Sequence, residues 1–346
     1  MPKPVTLKDV AYKAGVSYQT VSKVIRNQLQ VTPEVHARIQ TAIQELDYHP
    51  NVAARNLRTR SSFLIGYSWE SNSLRETGPI LEQFQHSIVA CAEEFGYHIL
   101  LFPHNAQRKL HTIYEELVRT RRVDAFILSC IEYDDARLPI LAELNVPMVA
   151  FGHADSGHPE YFVDVDGRAG IYDVITHLIA EGHRRIAIIA WPDHSRVGAE
   201  RLVGYWDAMG DAGLKVDSRW VIRGTGEIEF GYSATCELLN LPEPERPTAI
   251  ATVLDTIAIG AIQAVEACGY QVGTHVAVTG FDDMPVARHL KPSLTTVRQP
   301  VWDVGRAVIQ LLMAQLRDET GDVTRQQFFK PELIVRESSQ GFSPIF

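Results

Sequence analysis

Tyr18, Gln19, Thr20, Ser22, Lys23 and Arg26 fall within nine residues and carry hydroxyls, an amide and two cations. That is the chemistry of nucleic-acid recognition. Hydroxyls and amides hydrogen-bond base edges in the major groove, while Lys and Arg reach phosphates or guanine. The interleaved Val21, Val24 and Ile25 are apolar at helical spacing, so a single helix would bury them and turn the polar set outward.

That helix needs a partner to fix its angle, and the preceding residues supply one. Leu7, Val10, Ala11 and Ala14 line one face of a shorter helix, with Thr6 as its N-cap. Gly15 suits the left-handed residue that closes it, Val16 packs back onto the pair, and Ser17 caps the second helix. The pattern is a helix-turn-helix whose second helix reads DNA. A helical hairpin with a merely polar surface fits the same residues. Thr32-Pro33 starts a third helix, with Val35, Ile39, Ala42, Ile43 and Leu46 as a stripe leading to Tyr48. Residues 1–50 thus make a small headpiece with its own core.

His49-Pro50-Asn51 breaks the chain, and 52–57 is a short helical candidate within a hinge and linker spanning 51–61. So short a helix is marginal alone in water, so it is expected to form only against DNA and a second copy of itself. Leu57 would wedge into the minor groove, with Arg55 and Arg58 on phosphates or the groove wall. An ordinary basic linker with one stray leucine is the alternative.

The chain has 346 residues, 45% of them hydrophobic and 22% charged, enough for two or three domains with a large core. No run of eighteen apolar residues occurs and the start lacks a basic-then-apolar leader, so no membrane contact and a cytoplasmic location are expected. Cys91, Cys130, Cys236 and Cys268 are widely spaced, without the clustering zinc requires, and are expected to be reduced and mostly buried. Net charge is −9, but unevenly placed: residues 1–60 hold nine Lys/Arg against four Asp/Glu, while the remainder holds 24 against 38. A basic headpiece on an acidic body confines phosphate contact to the headpiece.

From Ser62 the grammar changes. Apolar strands at 63–69, 98–103, 123–129 and 146–151 alternate with helical stripes at about 79–95, 107–120 and 136–144. Strands then recur at 161–166, 184–191, 220–223, 248–254 and 275–281, with helices at 167–181, 197–212, 229–240 and 257–268 between them. The fold class is α/β: an all-α headpiece and hinge helix, then a body of two doubly wound parallel sheets with a small-molecule cleft between the halves.

The chain resembles the LacI/GalR family of transcriptional regulators almost end to end. TLKDVAYKAGVS (6–17), ELDYHPNVAARNLRTRSS (45–62), VDVDGRAGIYDVITHLIAEGHRRIAII (163–189), RLVGYWDAM (201–209) with AIGA (258–261), and VAVTGFDDMPVARHLKPSLTTVRQP (276–300) match its signatures in order. The resemblance implies a two-lobed, periplasmic-binding-protein-like body over 62–346, with an N-lobe of about 62–160 plus 290–322 and a C-lobe of about 161–289 plus 323–340. It implies a repressor that binds a near-palindromic double-stranded operator as a homodimer, under control of an effector, a sugar or sugar derivative. No leucine heptad follows residue 338, so a dimer is expected rather than a tail-built tetramer.

By the same resemblance Thr6, Tyr18, Gln19, Ser22 and Lys23 fall on DNA-contacting positions, and Arg55 and Leu57 on the hinge. Arg26 departs from the family's usual asparagine, which here follows as Asn27. Arg201 and Asp282 fall on ligand-gripping positions, where a guanidinium fork and a carboxylate together serve vicinal hydroxyls. Alternatively Arg201 is a surface residue paired with Glu200 or Asp207, and Asp282 a cap at a strand end. Where some relatives have an aromatic platform this chain reads GTGEIEFG (224–231), so Trp69, following the first body strand, becomes the stacking candidate. Glu70 and His153 also follow strand ends and are candidates to line the pocket.

Catalytic readings fail. Asp193-His194-Ser195 are adjacent and cannot align as a triad, His153 and His158 lack a third metal ligand, Asp282-Asp283 do not flank a common bond, and GTG at 224–226 is no dinucleotide fingerprint. No catalytic residue, metal or cofactor is expected, which sets aside a sugar-acting enzyme. A transporter's solute-binding protein would share the body but not the basic headpiece.

Overall fold

A computed structural model describes residues 5–25, 28–49, 56, 61–70, 79–104, 110–154, 160–321 and 323–343; the side chains of Trp69, Glu70 and His104 lie outside the described set. The chain divides into two units, residues 1–62 and 63–346.

The first unit holds α1 (Leu7–Ala14), α2 (Tyr18–Ile25) and α3 (Pro33–Glu45). Thr6 and Asp9 form a reciprocal capping box on α1, and Gly15 closes it at φ 65°, which only glycine adopts without strain. Ser17 Oγ accepts from the Thr20 amide at 3.1 Å, and Thr32 Oγ1 from the Val35 amide at 3.5 Å. Val10, Ala11, Ala14, Val21, Val24, Ile39, Ala42 and Tyr48 form the core. Lys13 Nζ pairs with Glu45 at 2.6 Å, tying α1 to α3.

Among the described residues the body contains twelve strands and eight further α-helices. In its first lobe β1 (Leu64–Glu70), β2 (His98–His104), β3 (Ala125–Leu128), β4 (Met148–Phe151), β5 (Phe162–Val165) and β11 (Gln326–Phe329) form one parallel sheet, ordered β11-β5-β4-β3-β1-β2. Successive side chains alternate between its faces. Ala125 and Ile127 pack with α4 (Pro79–Glu94) and α11 (Val301–Leu316), whereas Phe126 and Leu128 pack with α5 (Leu110–Arg119) and α6 (Arg137–Glu143). Both faces of the central strands β3 and β4 are covered, which is why they read as unbroken apolar runs, whereas the edge strands β2 and β11 are partly exposed.

The second lobe has a parallel sheet ordered β7-β6-β8-β9, from β6 (Ile186–Ala190), β7 (Val221–Arg223), β8 (Ala249–Thr252) and β9 (Ala277–Thr279). It is flanked by α7 (Gly167–Ala180), α8 (Arg196–Asp211), α9 (Ile228–Leu239) and α10 (Asp255–Ala267). The last two pack so closely that a Cβ on Gly260 would lie 2.0 Å from the Ile228 carbonyl oxygen, and one on Gly231 2.2 Å from that of Ile257. Antiparallel β10 (Thr296–Arg298) and β12 (Glu332–Ile334) complete this lobe through Val297 and Leu333.

The lobe boundaries differ from those expected. β5 and β11 belong to the first sheet, so 161–165 and 326–329 are first-lobe residues, while β10 at 296–298 is second-lobe. The chain crosses at Asp166, which caps α7 by accepting from the Ala169 amide at 2.8 Å, at Gln299-Pro300, and at Lys330-Pro331. Of the cysteines only Cys91 is buried; Cys130 and Cys268 are exposed and Cys236 is intermediate, all free thiols. Cys130 and Cys268 fall just past the ends of β3 and α10. Among the described residues no helix is long and apolar enough to cross a membrane.

Candidate functional site

On α2, Gln19 and Lys23 are exposed and Tyr18 is 49% exposed, a set of polar groups on one face. Thr20 is half-buried, with its hydroxyl 2.8 Å from that of Ser17, so it also serves the helix start. Ser22, expected outside, is buried. It sits one residue past Val21, about 100° round the helix, where a small side chain beside the apolar stripe is covered by larger neighbours. Thr6 is exposed, with its hydroxyl donating to Asp9 at 2.7 Å. Arg26, Asn27, Arg55, Leu57 and Arg58 lie outside the described residues.

In the body, the loops after the strands' C-terminal ends bring the second constellation together. Arg201, on α8, is buried with its guanidinium 3.7 Å over the Phe281 ring centroid, and Nη1 donates to the Val253 carbonyl at 2.7 Å. Its Nε is buried without a hydrogen-bond partner among the described residues. Burial lowers its pKa from the ordinary arginine value, while Asp282, Asp164 and Glu200 act to raise it. The surface alternative is excluded for Arg201, since Asp207 pairs instead with Arg168 at 2.6 Å.

Asp282 is buried at φ 113°, a conformation rare for any residue but glycine. Its Oδ1 accepts from Gln299 Nε2 at 2.6 Å. Burial pushes its carboxyl up to about 6, against the pull of Arg201 and Gln299. The loop around it is held from beneath by Asp255, whose carboxylate accepts from the Met284 amide at 2.7 Å and the Thr296 hydroxyl at 2.5 Å. Burial raises Asp255 to about 7. Arg336 and Arg298 grip Asp283 at 2.6 and 2.7 Å.

Across from these, His153 follows β4 in the first lobe. Its Nδ1 lies 2.6 Å from Asp164 and its Nε2 3.2 Å from Glu200 of α8, in the second lobe. The ring stacks on Phe162 with centroids 5.2 Å apart. Hydrogen bonding to Asp164, then to Glu200, raises its pKa to about 9 against the opposing effect of burial. Glu200 also meets Arg196 at 3.0 Å, and the Arg196 amide donates to Glu132 of the first lobe at 2.8 Å. Burial raises the Glu132 carboxyl above its ordinary value.

Trp69 and Glu70 end β1 rather than follow it, in register with Pro103 and His104, and their side chains lie outside the described residues. Sequence reading missed Asp164, Glu200 as a cleft residue, Arg196, Glu132, Gln299 and Trp191. Trp191 carried the signal used for Trp69, an aromatic just after an apolar strand; its Nε1 is buried without a partner among the described residues. Asp164 was visible as a charge within an otherwise apolar strand, FVDV. The Asp193-His194-Ser195 run is structural: Ser195 caps α8, accepting from Gly198 at 3.3 Å, and Asp193 pairs with Arg223 at 2.7 Å.

Comparisons with known proteins agree with this architecture. The family description "Bacterial regulatory proteins, lacI family" matches residues 6–51, and "Periplasmic binding protein-like domain" matches 175–339. The chain is similar to the HTH-type transcriptional repressor PurR of Proteus mirabilis, 32% identical over 96% of both chains. Among solved structures it is similar to a regulatory protein of LacI family from Chloroflexus aggregans, at 42% identity and TM-score 0.76, over 81% of this chain and 99% of that one. The transcriptional regulator CelR in complex with cellobiose matches at 32% identity and TM-score 0.71, over 96% and 99%. The lac repressor dimer bound to operator and the anti-inducer ONPF matches at 27% and TM-score 0.82, over 98% and 100%. With a helix-turn-helix unit, a two-lobed body and a relative matched along nearly its whole length, the chain belongs to the LacI family of DNA-binding transcriptional regulators.

Proposed function

We propose that the chain is a repressor that grips a near-palindromic operator as a homodimer and loosens or tightens that grip when a sugar or sugar derivative enters the cleft between its lobes. Tyr18, Gln19, Thr20 and Lys23 read the major groove from α2, with Arg26 and Asn27 beside them, while Arg55, Leu57 and Arg58 engage the minor groove between half-sites. Thr6, at the start of α1, adds a phosphate contact. Ser22 acts from the edge of the reading face, through the helix's packing.

The observation that carries the effector reading is the buried Arg201 beside Asp282, with the Arg201 Nε left without a partner among the described residues. An unmet buried donor costs free energy that a ligand hydroxyl would relieve. Asp282 supplies an acceptor, and Trp191 an apolar face of the kind that sugar rings cover. On the first-lobe side Trp69 and Glu70 are assigned to the pocket from their place at the end of β1, and His153 from its contacts with Asp164 and Glu200. Effector and operator affinities then change by the same factor, because both bias one equilibrium between lobe arrangements.

A gel-shift series on promoter fragments from the chain's own gene and its neighbours tests this, run with and without a panel of neutral mono- and disaccharides. The expected result is a salt-sensitive, sequence-selective shift that one sugar class alters. Equal shifts on every fragment would remove the operator reading, and a selective shift indifferent to all sugars would remove the carbohydrate.

A further inference from the structure

His153 joins the two lobes. It belongs to the first, yet it lies between Asp164 of β5 at 2.6 Å and Glu200 of α8 in the second lobe at 3.2 Å, one carboxylate on each ring nitrogen. A neutral imidazole has a single N–H and would set its bare nitrogen against one carboxylate oxygen. Only the imidazolium donates to both. The ring is fixed by stacking on Phe162, interplanar angle 22°, and by the edge of Phe328 at 5.1 Å.

The surrounding charges favour a bridge. From α8, Arg196 meets Glu200 at 3.0 Å and Arg201 is coupled to both Asp164 and Glu200. From the first lobe, Glu132 accepts from the Arg196 amide at 2.8 Å, a second crossing between lobes. Asp164 Oδ1 accepts from the Val165 amide at 2.7 Å, which aims Oδ2 at the histidine. His153, Asp164 and Glu200 offer ligand atoms within 4.8 Å of one another. With the carboxylates on opposite edges of the imidazole, however, one metal ion could not take all three groups unless the ring turned.

We propose that protonated His153 is a clasp fastening the first lobe to α8, so that closure of the cleft depends on pH. This adds to the effector reading without depending on what the ligand is. The sign follows from the raised pKa. The clasp is fully charged below the ordinary histidine value of 6.5 and is lost as pH rises through about 9. The body therefore opens on the alkaline side, and a ligand held by the closed form loses affinity there.

The test uses the full-length protein without DNA or sugar. NMR of 15N-histidine-labelled protein, with His153→Gln identifying the resonance, should give His153 a midpoint well above 6.5 and near 9. Glu200→Gln should lower that midpoint by about one pH unit, a tenfold change in proton affinity. Small-angle X-ray scattering should show the radius of gyration stepping up between about pH 7 and 9.5 in the wild type. His153→Gln should have the larger radius throughout and no step. A midpoint near 6.5, or a step that survives in His153→Gln, overturns the clasp. So does a compact form that is lost in EDTA and restored by zinc, which would make the site a metal bridge.

Discussion

The guanidinium of Arg201 lies over the ring of Phe281, 3.7 Å from its centroid, and Phe281 immediately precedes Asp282. One stacking contact thus sets both members of the candidate grip: the ring flattens the arginine against the second lobe, and the same backbone delivers the carboxylate.

Arg201→Lys keeps the charge but loses the fork and the stack. Effector affinity should fall at least tenfold, about 1.4 kcal/mol, measured by calorimetry with whichever sugar alters the gel shift. Operator affinity without sugar should stay within a factor of two or so. Unchanged sugar affinity would place the pocket elsewhere.

Gln19→Ala should relax discrimination at one operator position by about 1–3 kcal/mol while leaving the headpiece folded, because a bidentate base contact is lost from an exposed side chain. Binding to a set of single-base operator variants measures it. The same penalty on every variant would make Gln19 a phosphate contact instead.

Gly260→Ala would drive a methyl into the Ile228 carbonyl oxygen, 2.0 Å from the Cβ position, with the Tyr232 amide at 2.7 Å. Both neighbours are backbone, so α9 must move. The expected loss is about 1–3 kcal/mol of body stability, read from urea melts. Gly210→Ala, which has open space around it, is the control and should not destabilise the body this way.

His183 is fully buried against Phe342, centroids 4.0 Å apart, with Nδ1 2.9 Å from the Thr248 hydroxyl. Burial, aided by His177 and Arg184, pushes it down to about 4. The unfolded chain protonates near 6.5 and the folded one does not, so stability present above that pH drains away as pH falls towards 4, by about 3 kcal/mol in all. Urea midpoints at pH 7.5 and 5 should diverge more in the wild type than in His183→Gln; equal divergence would acquit His183.

The headpiece was legible because its determinants are local. Thr6, Gly15, Ser17 and Thr32-Pro33 each fix a helix end within four residues, and Val10, Val21 and Ile39 meet across short turns. Strands and helices of the body were legible for the same reason, through periodicity. Membership of a lobe was not: β5 looks like the opening of the second half, and only its pairing with β4 and β11 assigns it to the first. Arg201 and Asp282 were located by resemblance, since nothing in RLVGYWDAM marks the arginine as buried. The partners of His153 could not be read at all, because Asp164 and Glu200 stand 11 and 47 residues away: the first meets it only through the pairing of β4 with β5, the second only once both lobes have formed. Asp9, which completes the α1 cap, stands three residues after Thr6, the spacing of a capping box.

Neither lobe is a continuous stretch of chain. A fragment ending at Val165 would lack β11 and α11, leaving β5 unpaired along one edge and Val149 and Val163 bare where Val304 and Val308 should pack. Excising either half of the body by simple truncation should therefore give an insoluble product, and a nick at any one of the three crossings should leave the two halves still joined by the other two.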